Sequence, residues 1–457
     1  MKVYLWPVMV ASLSSAFVLP THQQALSDLA VDHHNANNKV ELLDDLQTSI
    51  YTTASDIQDT LDDTLNLITE TLHTKAEHCF KHPFDDAESL PEDITELPPF
   101  SQQRPPHHLP SDKTIYELIT ESKYTTILAK IIKEDEELVD FLNSTKANHT
   151  LFAPTDDAFK KLPHHPDHKP PKELIRAVIK YHLVPGLWDA ASVFHSHTLP
   201  TQLEASSLGD GLPQRLAVRV GWRGLTLNYY SRIVAPDIAG SNGLIHGISS
   251  LLIPPPSTQT ILDLVPTQFS TFNLALLKTN TNLTTIPGGT IFAPSNTAFS
   301  HLGLKVNAFL FSPYGRKYLA ALLKYHIVPD RTLYSDVLYT ENGEIKPFGV
   351  KGHTHVDLPT LLGERRLAID VARFGPYASL KINGFQKVAF ADVLAKNGNV
   401  HIVDRVLIPP RKVGTGAEGE WDEEVLTVED LRRRLSDLVE DDGHDEDGEM
   451  WAHGFEL

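Results

Sequence analysis

The sequence predicts an α+β protein that carries two tandem copies of one domain, and three observations support that expectation. The decapeptide TLFAPTDDAF at 150–159 returns as TIFAPSNTAF at 290–299. Two later landmarks also return: IRAVIKYHLVPG (175–186) as LAALLKYHIVPD (319–330), and NGLIHGISSLLIPP (242–255) as NGNVHIVDRVLIPP (397–410). Their order is kept, at offsets of 140, 144 and 155 residues, so an internal repeat takes precedence over local assignments. Within each copy helical periodicity comes first and strand-like alternation second, the order of an α+β domain.

Each element follows from its residues. The first copy opens on the helical pattern TIYELITESKYTTILAKIIKEDEELVDFL from Thr114, the second on QTILDLVPTQFSTFNLALLK from Gln259. The decapeptide begins as a short apolar strand, Leu151–Ala153 or Ile291–Ala293, which Pro154 or Pro294 stops. Thr155 or Ser295 then stands where an N-cap belongs, with Ala158 and Phe159, or Ala298 and Phe299, in the first helical turn. The alternating segments RLAVRVGW and TLNYY follow, then a closing strand, LIHGISSLLIP. At the polar centre of the decapeptide Asp156-Asp157 becomes Asn296-Thr297 in the second copy, which predicts a tolerant helix start and no shared acid pair.

The flanks differ in character from the repeats. The chain has 457 residues, 41% of them apolar, enough for about two to four domains. Its opening, MKVYLWPVMVASLSSAFVLP, reads as a secretory signal (1–16) cleaved near Ala16. Residues 17–110 form an acidic arm and a Pro-rich linker, 111–256 and 257–411 the two domains, and 412–457 an acidic tail. No later stretch approaches the roughly 20 apolar residues of a membrane span, so a mature chain without one is expected. Cys79, the sole cysteine, has no internal partner and reads as a free or half-buried thiol.

The net charge of −19 is an average over unlike regions. Residues 25–100 hold 17 acids and three bases, and 417–457 hold 16 acids and three bases; residues 101–416 hold 33 bases and 26 acids, a balance of +7. Such a body either carries its acidic arms folded back on it or meets a polyanionic glycan or lipid surface for which the arms compete. Nucleic acid is not expected, because no basic cluster interleaved with aromatics is present. In the arm, Leu43, Leu46, Ile50, Ala54, Ile57, Leu61, Leu65, Ile68 and Leu72 trace the apolar stripe of an amphipathic helix over 43–72, which could dock on the body or engage a partner helix. In the tail, Val428, Leu431, Leu435, Leu438 and Val439 line a short helix that Thr427 and Asp430 can cap.

The decapeptide, the Tyr-His pair before Val-Pro and the closing Asn-Gly segment ending in Leu-Ile-Pro-Pro, each present twice over 111–411, resemble the fasciclin domain. The resemblance implies two fasciclin-like domains, each a small β-sandwich wedged against helices. It also implies a place among extracellular adhesion and matrix proteins; fungal members with paired domains are known from the vacuole or its membrane as well. Tyr181-His182 and Tyr325-His326 match the tyrosine-histidine pair proposed to contact integrins in animal members. Pro236-Asp237-Ile238 matches the centre of the animal Glu-Pro-Asp-Ile-Met motif, with Ala235 and Ala239 at its ends; in the second copy Asp392 alone remains, within Ala391-Asp392-Val393.

Read from the residues, the Tyr-His pairs suit ring packing with a backbone hydrogen bond, and both aspartates, five residues before an Asn-Gly, suit a turn. His246 and His401 read as hydrogen-bonded core residues. HHPDH (164–168) and His353-Thr354-His355 offer only partial, adventitious metal sets, so no metal or cofactor is expected. Asn143, Asn148 and Asn282 head N-glycosylation sequons. There is no GxSxG, HExxH, phosphate-loop or dinucleotide motif. The sequence therefore points to a non-catalytic adhesion or surface scaffold with protein or glycan partners; the alternative is a lumenal vacuolar or endomembrane factor that supports membrane organisation.

Overall fold

In a computed structural model the described residues run from 111 to 439, apart from 147, 162–170, 210, 222–223, 364 and 411–425. The signal segment, the helix expected over 43–72, Cys79 and the 164–168 histidines lie outside them. All the described residues fall within one compact unit, Leu65–Leu457, which the repeat does not divide.

The first copy starts with three short helices, Ile115–Glu121, Thr126–Lys133 and Glu136–Asn143, where one continuous pattern was expected. The interruptions have local causes. Thr114 starts the first helix with a capping box to Glu117, the backbone turns extended at Ser122 (φ −71°, ψ 129°) to end it, and Asp135 starts the third by capping through the Glu137 amide; the second has no side-chain cap. Strands β1 (His149–Pro154), β2 (Leu183–Pro185), β3 (Thr198–Glu204), β4 (Pro213–Gly221), β5 (Gly224–Leu227), β6 (Ser231–Gly240) and β7 (Gly243–Ile248) form a curled sheet in the order β2-β1-β7-β6-β5-β4-β3. All neighbours are antiparallel except β1 and β7, which run parallel from His149↔Gly243 to Pro154↔Ile248. TLNYY is a strand only to Leu227, since Asn228 and Tyr229 take positive φ, and the closing strand ends at Ile248.

The second copy repeats this plan. Helices Thr258–Leu264 and Pro266–Lys278 precede β8 (Gly289–Pro294), and helix Arg316–Tyr325 carries the second Tyr-His pair. Then come β9 (Ile327–Val328), β10 (Thr332–Leu333), β11 (Val337–Tyr339), β12 (Ile345–Pro347), β13 (Lys351–Pro359), β14 (Arg366–Phe374), β15 (Tyr377–Ile382), β16 (Gln386–Ala395) and β17 (Gly398–Val403). Its sheet runs β13-β14-β15-β16-β17-β8-β9, again with one parallel pair, β17 with β8, while β10-β11-β12 form a small extra sheet. Where that small sheet stands, the first copy has the helix Ala190–Phe194. The tail helix Val428–Leu435 buries Leu431 and Leu435 in the second core, and the Thr427 hydroxyl accepts from the Asp430 amide as its cap.

The Asn-Gly step before each closing strand ties these layers together. Asn242 accepts from the Ile115 amide (2.8 Å) and donates to Leu142 O (2.8 Å) and Ser144 O (2.9 Å), joining the helical layer to the start of β7. Asn397 accepts from the Thr258 amide and hydroxyl (both 2.9 Å) and donates to Leu283 O (3.2 Å). The next residue must be glycine: a Cβ on Gly243 would stand 2.0 Å from His149 O, and one on Gly398 2.1 Å from Gly289 O. Asn242→Ala leaves the buried Ile115 amide and Leu142 carbonyl and the half-buried Ser144 carbonyl without this partner, so a loss of about 2–4 kcal/mol in urea unfolding is expected. An unchanged midpoint would refute the clamp.

Candidate interaction sites and the domain seam

Tyr181 and His182 end the helix Lys172–His182 and are fully buried. The Tyr181 hydroxyl donates to Arg215 O (3.0 Å) and accepts from Asn228 Nδ2 (2.9 Å). His182 Nδ1 donates to Val178 O (2.7 Å), which leaves Nε2 to accept from the Leu252 amide (2.9 Å) and fixes a neutral tautomer. The second copy reproduces each contact. Tyr325 OH donates to Arg366 O (3.4 Å) and accepts from Asn383 Nδ2 (3.1 Å); His326 Nδ1 donates to Leu322 O (2.7 Å), and its Nε2 accepts from the Leu407 amide (2.9 Å). Every polar atom of the four side chains is engaged inside its own domain.

The aspartates sit at matching bulges of β6 and β16, both at positive φ. The Asp237 amide donates to His246 Nδ1 (3.1 Å), His246 Nε2 donates to Trp188 O (2.7 Å), and the imidazole stacks on Phe152. Asp392, His401, Leu333 O and Phe292 repeat the arrangement. The carboxylates then serve different purposes. Asp237 accepts from the Ala190 amide (2.8 Å) at a helix start, with Pro236 exposed and Ile238 half-buried beside it. Asp392 is fully buried and accepts from the Ser335 amide (2.8 Å) and hydroxyl. Burial opposes its charge, yet His401, Arg219, the Ser335 hydroxyl and His197 together hold its carboxyl below the usual range.

Two of those groups, Arg219 and His197, belong to the first domain, because Asp392 lines a buried seam between the copies. Arg219 donates to Ala391 O and lies between the Tyr229 ring (5.2 Å) and the Phe390 ring (5.3 Å). Tyr229 OH donates to Asp392 O. At the seam's centre Asp336 accepts from the Thr198 amide (2.7 Å) and hydroxyl (2.5 Å). Arg215, 4.0 Å from Asp336, donates to Thr198 Oγ1 (2.6 Å), Thr198 O (3.1 Å) and Tyr339 OH (3.1 Å). Leu208, Leu212 and Ala217 of one domain pack with Tyr334, Val337, Tyr339 and Leu394 of the other. The sequence reading missed Arg215, Arg219, Thr198 and Asp336; divergence between the copies was a signal for two of them, since Arg219 aligns with Asp370 and Thr198 with Asp357, but not for Arg215, which aligns with Arg366.

The decapeptide centre also has a structural task. Asp156 accepts from the Ile127 amide (2.9 Å) and the Thr126 hydroxyl (2.8 Å), while Asn296 accepts from the Thr271 amide (2.9 Å) and donates to Thr267 O (3.1 Å). In both copies this residue pins the opening helices to the first strand. Ser295 caps through the Ala298 amide (3.2 Å); the Thr155 hydroxyl, expected to do the same, donates to Ile248 O (3.4 Å) instead.

The sequon residues Asn143, Asn148 and Asn282 are all exposed. His353 and His355 share the outward face of β13, where His355 lies between Asp370 (2.7 Å) and Asp357 (3.4 Å). Among the described residues no group of three or more His, Cys, Asp or Glu is placed to hold a metal ion, and no helix is long and apolar enough to cross a membrane.

Two predictions follow from these placements. Burial pushes His182 and His326 down to about 4, whereas in the unfolded chain they titrate near 6.5. Between those values protons bind the unfolded state alone, so stability is fully present above about pH 6.5 and is lost as pH falls toward 4, by about 3 kcal/mol per histidine at the limit. Urea midpoints measured across that range check this, and His182→Gln with His326→Gln should flatten the slope. In the seam, Asp336→Ala strands Arg215 without its buried counter-charge and should cost about 3–5 kcal/mol, read as lower thermal stability and faster proteolysis between the copies. Wild-type resistance in that variant would contradict this account of the seam.

With this geometry in view, a fasciclin-domain profile matches residues 123–254 and 267–409. The chain is 29% identical over 337 residues to the aurofusarin biosynthesis cluster protein S of Gibberella zeae, an alignment that covers 67% of this chain and 80% of that protein. It is 24% identical over 331 residues to a fasciclin-like arabinogalactan protein of Arthroderma benhamiae, covering 71% of this chain and 67% of the relative. With stabilin-2 of Mus musculus it shares 26% over 259 residues, which is 52% of this chain and 9% of that much longer protein. Among solved structures, the FAS1 domain pair of the insect cell adhesion molecule Fasciclin I is 18% identical and covers 61% of this chain and 95% of that one, with a TM-score of 0.30. The two matched stretches make up more than half of the sequence, and the chain belongs to the fasciclin-domain family, with two such domains in tandem.

Proposed function

We propose that this protein is a non-catalytic interaction scaffold of the secretory pathway, acting at the cell surface or in the matrix. The observation that carries this reading is the spending of the repeated motif residues on the fold. Tyr181, His182, Tyr325, His326 and Asp392 are buried and hydrogen-bonded, so binding falls to the outer faces of a domain pair that the seam holds together. Of the residues that match the animal adhesion motif, Pro236 and Asp237 reach the surface, and a protein contact of that kind would use this edge of the first domain. Asn143, Asn148 and Asn282 are the proposed glycan attachment points, each accessible to a transferase.

A second reading draws on the Gibberella zeae relative, whose name places it in a biosynthesis cluster and most of whose length is covered. Here the pair would serve as an accessory beside the enzymes of such a cluster. Imaging and fractionation of a tagged chain test the first reading: protein retained on the surface and released by salt is expected. Confinement to the vacuolar lumen would favour the endomembrane role, and loss of a cluster product on deletion, with no surface protein, would favour the accessory role.

A further inference from the structure

The duplication shows what one face of a fasciclin domain can be used for, and one copy of that face is bare. In the first domain the outward side of β3 and β4, with Thr198, Arg215, Ala217 and Arg219, is mated to the second domain. The backbone contacts of the Tyr-His helix identify its counterpart: Tyr181 reaches Arg215 O as Tyr325 reaches Arg366 O, and the Asn228 amide reaches Ala217 O as Asn383 reaches Ala368 O. The corresponding face of the second domain is therefore the outward side of β13, β14 and β15 with the first residues of β16, as far as Lys387; it is exposed among the described residues, whereas the later part of β16 lies in the seam.

Its surface chemistry is distinctive. Arg366, Lys381 and Lys387 are exposed on the neighbouring strands β14, β15 and β16, and none of the three makes an ion pair among the described residues. What sets this face apart is that the three stand close together on adjacent strands. Lys381 and Lys387 stand directly opposite one another, a like-charge cross-strand pair that Asp370, opposite Lys381 on the other side, offsets in part without forming an ion pair with it. The acids of the face, Asp357 and Asp370, are answered from within, because they flank His355, whose hydrogen bond to Asp370 raises its affinity for a proton. A shallow cavity of about 330 Å³ runs along this surface, lined by His353, His355, Asp370, Ser379, Lys381 and Gly384 among others.

We propose that this face of the second domain is a binding surface for an acidic polysaccharide, whose sulfate or carboxylate groups Arg366, Lys381 and Lys387 neutralise while its hydroxyls bond to Ser379 and His353 in the groove. A lipid surface fits less well: the groove beside the cations is lined by Ser379, His353 and Gly384, hydrogen-bonding groups that a sugar uses and an acyl chain does not, and the exposed rings, Phe374 (65%) and Tyr377 (66%), stand together at the β14–β15 turn, where a sugar can stack. A second copy of the chain fits poorly too. The seam uses Thr198, Arg219 and Tyr229, and at those positions this face carries Asp357, Asp370 and Gly384, so a second copy could not repeat the Thr198 bonds to Asp336 or the Arg219 and Tyr229 bonds to β16.

The inference rests on the scaffold reading and names one of its ligand classes. The experiment titrates the full chain with a heparin fragment at low and high salt, beside the triple variant Arg366→Gln, Lys381→Gln, Lys387→Gln. A control triple, Lys130→Gln, Lys133→Gln, Lys278→Gln, removes three exposed cations elsewhere. Binding that salt weakens, reduced on the order of tenfold or more by the first triple and unchanged in the control, is expected. Several results overturn the proposal: no binding at low salt, equal weakening by both triples, binding to phosphatidylserine vesicles in place of heparin, or self-association abolished by the first triple. If heparin fails while the tagged chain is still held on the cell surface, the glycan face falls and the scaffold reading stands.

Discussion

Each domain closes on a parallel pairing between its first strand and its last, β1 with β7 and β8 with β17, and the rest of the architecture depends on it. Partners about ninety or more residues apart must meet in one register, and a parallel pair cannot be made by a tight turn. The repeated landmarks gather around this constraint. Gly243 and Gly398 let the paired backbones approach, Asn242 and Asn397 tie the helices to the head of the strand, and His246 and His401 stack on Phe152 and Phe292 across it. Just beyond the strand, His182 and His326 receive the amides of Leu252 and Leu407.

The same demand explains which parts of the fold were legible in the sequence. A side chain that must both donate to one backbone group and accept from another, within a space that admits no change, leaves few choices of residue. Neutral His182 with its two backbone partners is such a case, and so is Asn242 with three. These positions are therefore written almost identically twice, which made the repeat and the α+β order readable. The single long helix was not readable as three, because the apolar stripe continues across Glu134-Asp135 while Asp135 restarts the helix with its side chain.

The seam was illegible for the opposite reason. Thr198, Arg215 and Arg219 are ordinary outward strand positions, where any polar side chain suits the pleat, and Tyr229, Tyr334 and Asp336 stand in turns; their meaning depends on what packs against them. Arg215 and Arg366 occupy equivalent places, yet one is buried against Asp336, Tyr334 and Tyr339 while the other faces outward. Nor could the local sequence distinguish Asp237 from Asp392. Both hold a bulge against a histidine, and only the neighbouring domain makes one of them a buried anion facing Arg219 and His197.

This division has a consequence for how a duplicated domain acquires function. The interior of each copy is fixed by the closing pair and its clamps, so divergence is confined to outward faces and to the segment after the Tyr-His helix. There the first copy has a short helix and the second the β10–β12 sheet that supplies Tyr339 to the seam. With Thr198 and Arg215 of the first domain committed to that sheet and its turn, and Arg219 and Tyr229 to β16, the equivalent face of the second is released from packing duty. Its charges then answer only to solvent and ligand, and an opposed lysine pair can persist there although it gives the sheet nothing.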